Sequence, residues 1–138
     1  MNNSAEPATI HLNKEPDYLA PDTSEIRLLP SMNRGSMCHC TLPAGKVSVA
    51  VKHKTIEEIW YILEGEREMW RKDIEGYETI TKLEEGISVT IPTGICFQFR
   101  NVGSNPLKII IATMPPWPGD DEAVKVESHW QNEILHVA

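Results

Sequence analysis

From residue 25 to residue 113 the chain is written in short runs of β-branched, aromatic and other apolar residues, each closed by glycine, proline or polar residues. The runs occupy residues 26–29, 37–42, 47–51, 59–63, 67–72, 78–83, 87–91, 95–101 and 107–113. Runs of this length with turn residues between them predict strands, and their even spacing predicts an all-β antiparallel sandwich or barrel. Glu75-Gly76, Glu84-Glu85-Gly86 and Pro92-Thr93-Gly94 supply turn chemistry. The runs at 47–51 and 59–63 flank a short polar link and read as a hairpin, with His53, Glu57 and Glu58 where the strands meet. After Met114 a Pro-Pro-Trp-Pro-Gly stretch ends the barrel, because its prolines cannot join a ladder.

The flanks carry less pattern. Residues 1–24 are polar, hold Pro7, Pro16 and Pro21, and read as an extended arm with one edge strand at 9–12. Residues 25–116 form the barrel domain, and 117–138 a tail with a short helix or a strand added at an edge.

Strand alternation sorts side chains into two faces. If His53 points into the barrel, Val47, Val49 and Val51 do too, while Ser48, Ala50, Lys52 and Lys54 point away. Beyond the link, Glu58 goes with Trp60 and Ile62. Glu57 goes with Ile59 and Tyr61, and Tyr61 and Leu63 are expected to bury against a second sheet.

With 138 residues the chain makes one domain with a sizeable core. A net charge of −7 without a long basic cluster argues against nucleic-acid binding. No apolar run approaches the roughly 20 residues of a membrane span, and the N-terminus lacks the basic and apolar regions of a signal peptide. A cytoplasmic protein with reduced cysteines is expected. Cys38, Cys40 and Cys96 include no CxxC pair, so spacing gives no zinc site. Phosphate loops, nucleophile elbows and dinucleotide fingerprints do not occur.

Two spacings carry a resemblance. Gly45, His53, Glu58 and Gly65 fit G-x5-H-x-H-x3,4-E-x6-G, with Val51 at the first histidine position. Gly86, Pro92, Gly94 and Asn101 fit G-x5-P-x-G-x2-H-x3-N, with Phe97 at the histidine position. The chain thus resembles the small single-domain cupins, which implies a jelly-roll β-barrel, or double-stranded β-helix. The family spacing to Gly65 selects Glu58 over Glu57 as the inward acid, unless a bulge exchanges them.

In metal-bearing cupins three histidines and one glutamate hold a divalent metal such as iron, manganese, nickel or zinc. Only His53 and Glu58 stand at matching positions here, because valine and phenylalanine offer no lone pair. The resemblance therefore implies no certain cofactor and a weak or absent metal at a degenerate site. A one-residue bulge would turn Cys96 inward as a third ligand, and His39, Cys38 or Cys40 are further candidates. Without metal, His53 and Glu58 remain either as a buried hydrogen-bonded pair or as a catalytic acid/base couple. Trp60, Phe97, Phe99 and Met69 are expected to line or plug the barrel. They form an apolar pocket for a flat ligand, with His53, Glu58 and, in a bulged strand, Gln98 as polar points. Trp117 is placed at the barrel mouth or on a partner subunit.

Fold alone does not give function. Three readings stay open: a metal-dependent oxygenase, isomerase or lyase, a metal-free enzyme acting on a sugar-like or carbonyl substrate, and a non-catalytic metabolite-binding barrel. The favoured reading is a barrel that binds or acts on a small molecule with weak or absent metal. A homodimer is expected from exposed apolar sheet surface and edge strands.

Overall fold

The structure, a computed structural model, describes residues 6–131. The strands are β1 (Tyr18–Leu19), β2 (Glu25–Ser31), β3 (Ser36–Leu42), β4 (Lys46–Val47), β5 (Val51–His53), β6 (Glu57–Glu64), β7 (Glu66–Lys72), β8 (Glu78–Glu84), β9 (Ser88–Ile91), β10 (Cys96–Asn101), β11 (Leu107–Met114) and β12 (Ala123–Lys125). They pair antiparallel into two sheets, one ordered β1-β2-β3-β11-β6-β9 and the other β12-β5-β10-β7-β8, with β4 also on β10. The two inner faces enclose the core, as the alternation predicts for a jelly roll.

Inward positions carry the burial. On β11, Ile109, Ile111 and Thr113 face in, and on β6, Glu58, Trp60 and Ile62 do. Trp60 stands edge-on to Phe97 and Phe99, with ring centroids 5.7 and 5.0 Å apart, a favoured geometry for aromatic pairs. On one side of Trp60, Ile62, Met69, Leu83, Phe99, Leu107 and Ile109 fill the space between the sheets. The other side is hollow.

The glycines of both motifs are explained by backbone alone. Gly45, Gly65, Gly86 and Gly94 all adopt positive φ. Gly65 is the most constrained: its φ is +108°, and a Cβ there would sit 3.0 Å from the Leu107 Cα. It turns the chain from β6 in one sheet to β7 in the other. Asn101 is a scaffold residue too. It donates to the Leu42 and Asn105 carbonyls and accepts from the Arg67 guanidinium, which ties down the 102–106 loop.

Four expectations are corrected. The runs at 47–51 and 59–63 are no hairpin: β5 pairs with β10 and β12, whereas β6 pairs with β11 and β9. The link is a corner between sheets, with Ile56 fully buried, and a sandwich presents the same alternation on both of its inner faces. Second, the arm's strand lies at Tyr18–Leu19, not at 9–12, where the side chains are exposed. Third, Ser48 and Ala50 are buried, because the backbone leaves the ladder there and later chain covers it. Ser48 N donates to the Phe99 carbonyl, Ser48 Oγ accepts from Phe99 N, and Val126 N donates to the Ala50 carbonyl. Fourth, Tyr61 is 47% exposed and Leu63 is exposed with it, on the outer face of β6 beside Ile59. The tail does add an edge strand, β12, after a 3-10 turn at Asp120–Glu122. The parts of the arm and tail at 1–5 and 132–138 lie outside the described residues.

Candidate functional site

The hollow half of the barrel is a cavity of about 320 Å³. Its floor is Trp60 and Phe97, its walls include Val51, Ile26 and Ile111, and Trp117 stands at its edge. Buried polar groups enter from four places, Glu58 on β6, His53 on β5, Thr113 on β11, and Asp22 with Ser24 ahead of β2, and the half-buried Ser31 and Ser36 border the cavity from the ends of β2 and β3.

Glu58 is only 7% exposed, while Glu57 is exposed, so the inward acid is the one the family spacing selects. Its Oε1 accepts from Trp60 Nε1 at 3.0 Å and its Oε2 from Thr113 Oγ1 at 2.8 Å. Burial pushes its pKa up to about 7, against the pull of those two hydrogen bonds and with the help of Asp22 and Glu122. Near neutrality Glu58 therefore exchanges a proton.

His53 is 4% exposed, and its ring lies 5.2 Å from Phe97 and 5.7 Å from Trp117. Its backbone is fixed by Gly94, whose N–H donates to the His53 carbonyl at 3.1 Å. Nδ1 is buried without a hydrogen-bond partner among the described residues. Burial lowers the imidazole pKa to about 4, a shift that Glu122 only partly offsets, so the ring is neutral at pH 7. Among the described residues no hydrogen bond joins His53 to Glu58, so the paired arrangement is not formed.

Asp22 comes from the stretch read as a free arm. Thr23 has φ +78°, rare for a non-glycine residue. The resulting tight turn is held by Ala20 N to the Ser24 carbonyl and Thr23 N to the Ala20 carbonyl, both 2.8 Å. Ser24 donates through N and Oγ to Asp22 Oδ1, and Asp22 is left 8% exposed in the cavity wall. Burial raises its pKa, and the Ser24 bonds counter this in part. Cys38 also lines the cavity, its thiol pushed up to about 12 by burial and by Glu58 and Asp22, so it stays a thiol rather than a nucleophile.

The mouth is built by the tail. Glu122 accepts from Thr55 N, Thr55 Oγ1 and Ile56 N at 2.6 to 2.9 Å, which pins the 3-10 turn to the corner beside His53. Burial would raise the Glu122 pKa, but these bonds outweigh it and hold it below its ordinary value. Trp117 is held at the rim by its backbone N–H, which donates to Ser36 Oγ at 3.2 Å, and by its ring edge-on to His53.

The remaining candidates are placed elsewhere. Cys96 is outside the cavity, because β10 runs in unbroken register with β7 from Cys96↔Lys72 to Arg100↔Glu68 and the bulge it needs is absent. Gln98 faces outward on the same strand and is fully buried by the tail. It donates to the Ser48 and Trp130 carbonyls and accepts from His129 N and Trp130 N, so its hydrogen-bonding capacity is used in anchoring the chain. Phe99 and Met69 belong to the packed half. His39 lies on the outer face of its sheet, paired across the strands with Arg27 and Ile110.

The donors do not fit the metal of the metal-bearing relatives. Val51 and Phe97 hold two ligand positions, and Phe97 packs on the His53 ring. Among the described residues no three His, Cys, Asp or Glu side chains converge on a point. Asp22, Ser24 and Thr113 went unseen in the sequence. Alternation through 107–113 would have put Thr113 inside with Ile109 and Ile111; nothing in the sequence shows that Pro21-Asp22-Thr23-Ser24 turns inward.

Comparison with known proteins agrees with this architecture. Residues 38–113 match the family described as Cupin domain. An uncharacterized protein of Methanocaldococcus jannaschii is 34% identical over 112 residues, which are 78% of this chain and 86% of that one. A solved structure from Bacillus halodurans superposes with a TM-score of 0.62 at 18% identity, over 68% of this chain and 72% of that one. The capsular polysaccharide assembling protein CapF of Staphylococcus aureus gives 0.69 at 14% identity, over 86% of this chain but 34% of its own. Oxalate decarboxylase of Bacillus subtilis, a protein with Mn(II) centres, gives 0.66 at 15% identity, over 82% of this chain and 30% of its own. These distant structures share the fold, and the family match spans more than half of the sequence. The chain belongs to the cupin family.

Proposed function

We propose that the hollow half of the barrel is a binding site for a small molecule and works without a resident metal. One observation carries this reading. A concave cavity of about 320 Å³ with apolar and aromatic walls receives a few buried polar groups, Glu58, His53, Asp22 and Thr113, from separate elements. Concave apolar sites with a few convergent polar groups are how proteins hold small ligands. Of the residues first assigned to the ligand, His53, Glu58, Trp60 and Phe97 keep that role, Gln98 and Phe99 give it up, and Asp22 and Thr113 join.

The test is a fragment screen by NMR on chelator-treated protein, read at the indole N–H of Trp60 and the imidazole of His53. Hits should shift both signals and should bind more weakly to Cys38→Leu, whose larger side chain narrows the cavity. Hits that move neither signal, or bind Cys38→Leu equally well, would place the site elsewhere.

A second reading, metal-free proton transfer, is favoured by the position of Glu58, whose pKa of about 7 suits a general acid or base. Its check is deuterium exchange into bound hits in ²H₂O, expected for the parent protein and lost in Glu58→Gln. Exchange that survives the substitution would remove Glu58 from that role.

A further inference from the structure

The charge of the cavity narrows the class of ligand, and this step rests on reading the cavity as a binding site. No lysine or arginine lines it, whereas two carboxyl groups do, Asp22 and Glu58. Both are more than nine-tenths buried, and neither has a cationic partner among the described residues. The acids continue outward: Glu122 acts on both His53 and Glu58, and Asp17 and Asp120 act on Tyr18 behind the cavity wall. A concave site with low-dielectric walls and charges of one sign focuses a field that attracts the opposite sign.

Each class of ligand meets these groups differently. An anion would enter a cavity that offers it two carboxyls and no fixed positive charge. A neutral molecule can donate hydrogen bonds to Asp22 and Glu58 but brings no charge to set against theirs. A cation supplies the missing partner, because buried charges in proteins are stable when paired and hydrogen-bonded. The aromatic lining adds to this: Trp60, Phe97 and Trp117 all border the cavity, and ring faces attract cations. His53 offers an independent pointer. It is 96% buried in the wall and its ring makes no hydrogen bond among the described residues; Nδ1 is sealed off, which leaves Nε2 as the ring nitrogen open to an ammonium N–H.

We propose that the hollow half of the barrel takes a small organic cation, an amine or quaternary ammonium with an apolar body, its charge met by Asp22 and Glu58 and its body by the rings of Trp60, Phe97 and Trp117. Asp22 is then a specificity-determining residue, and the strained turn at Thr23 is what sets it there.

The experiment uses probes of one shape and different charge: benzylamine, benzyltrimethylammonium, benzyl alcohol and benzoate. Each is titrated at pH 7.5 into chelator-treated full-length protein and followed at the Trp60 indole N–H. Either or both cations should bind about 10-fold or more tightly than the alcohol, and benzoate should bind more weakly still. Asp22→Asn and Glu58→Gln should each remove most of the preference for the cations over the alcohol. A preference for the quaternary cation assigns the selectivity to the rings, and one for the primary amine assigns it to the carboxyls and His53. The alcohol or benzoate binding as tightly as the cations, with all binding weakened in Cys38→Leu, would overturn the cation and leave the pocket standing. Absence of binding by all four, or binding indifferent to Cys38→Leu, would overturn both.

Discussion

Cys38 and Cys40 stand two residues apart on β3 and face the same interior, yet they belong to different halves of the barrel. Cys40 is sealed in the packed half with Ile109 and Ile26 opposite it on the neighbouring strands. Cys38, opposite Ile111 and Leu28, borders the hollow half. The alternation that put both inside is the same; what differs is the company. Around Cys40 the cross-strand neighbours Ile109 and Ile26 are apolar and large, and Ser24 is the buried polar exception on the side toward the cavity. Around Cys38 the inward positions include Thr113, Glu58, His53 and Asp22, which are shorter or need solvation, and the space stays open. A jelly roll thus makes a core and a site from one pattern by changing residue type along the barrel axis, with Trp60 and Phe97 as the partition.

The comparison can be broken at several points. The largest effect is expected in the packed half: Phe99→Ala should cost about 4 kcal/mol in denaturant unfolding, through lost burial and the cavity left beside Trp60. A cost below about 1 kcal/mol would show that this half is not tightly packed.

Glu58→Gln comes next. The folded-state pKa of about 7 lies above the ordinary 4.5, so the folded protein holds this proton more firmly than the unfolded chain. Stability carried by the protonated form is therefore present at low pH and lost as pH rises through about 7. The variant should match the parent near pH 5 and exceed it at pH 8 by up to roughly 3 kcal/mol. Parallel stability curves from pH 5 to 8 would mean Glu58 is ionised throughout.

The paired cysteines give a smaller and sharper contrast. Cys40→Leu should overpack and cost about 1–3 kcal/mol, whereas Cys38→Leu should be neutral or stabilising because there is room for it. Equal costs would erase the distinction between the halves. Smallest in stability, within about 0.5 kcal/mol, is Tyr61→Glu on the exposed outer face. We expect the parent to be a dimer through the apolar stripe of Ile59, Tyr61 and Leu63, and this variant a monomer by light scattering; an unchanged mass would move the interface elsewhere.

Much of the barrel was legible because its rules are local. Period-two alternation grouped Glu58 with Trp60 and Ile62, the family spacing chose that set and His53 as inward, and positive φ at four glycines accounts for the motif spacings. What failed was non-local. Alternation cannot say whether two successive runs pair or face each other across a sandwich, so 47–51 and 59–63 read as a hairpin. It also ignores late chain: Gln98, Ser48 and Ala50 are buried because residues 126–130 lie over them. In the site, the motif pointed to His53 and Glu58 but suggested a third ligand, Cys96, that unbroken strand register turns away. Asp22 stayed hidden because a strained turn, and no periodicity, carries it inward.

The central claim is that the hollow half of the barrel is a pocket and not a metal centre. Its most direct test is elemental analysis of tag-free protein grown with iron, manganese, nickel and zinc supplied, beside a His53→Ala variant. The account predicts metal far below one atom per chain and no difference between the two proteins. Near-stoichiometric metal in the parent, lost on replacing His53, would contradict it and send the search back to the ligands of the barrel interior.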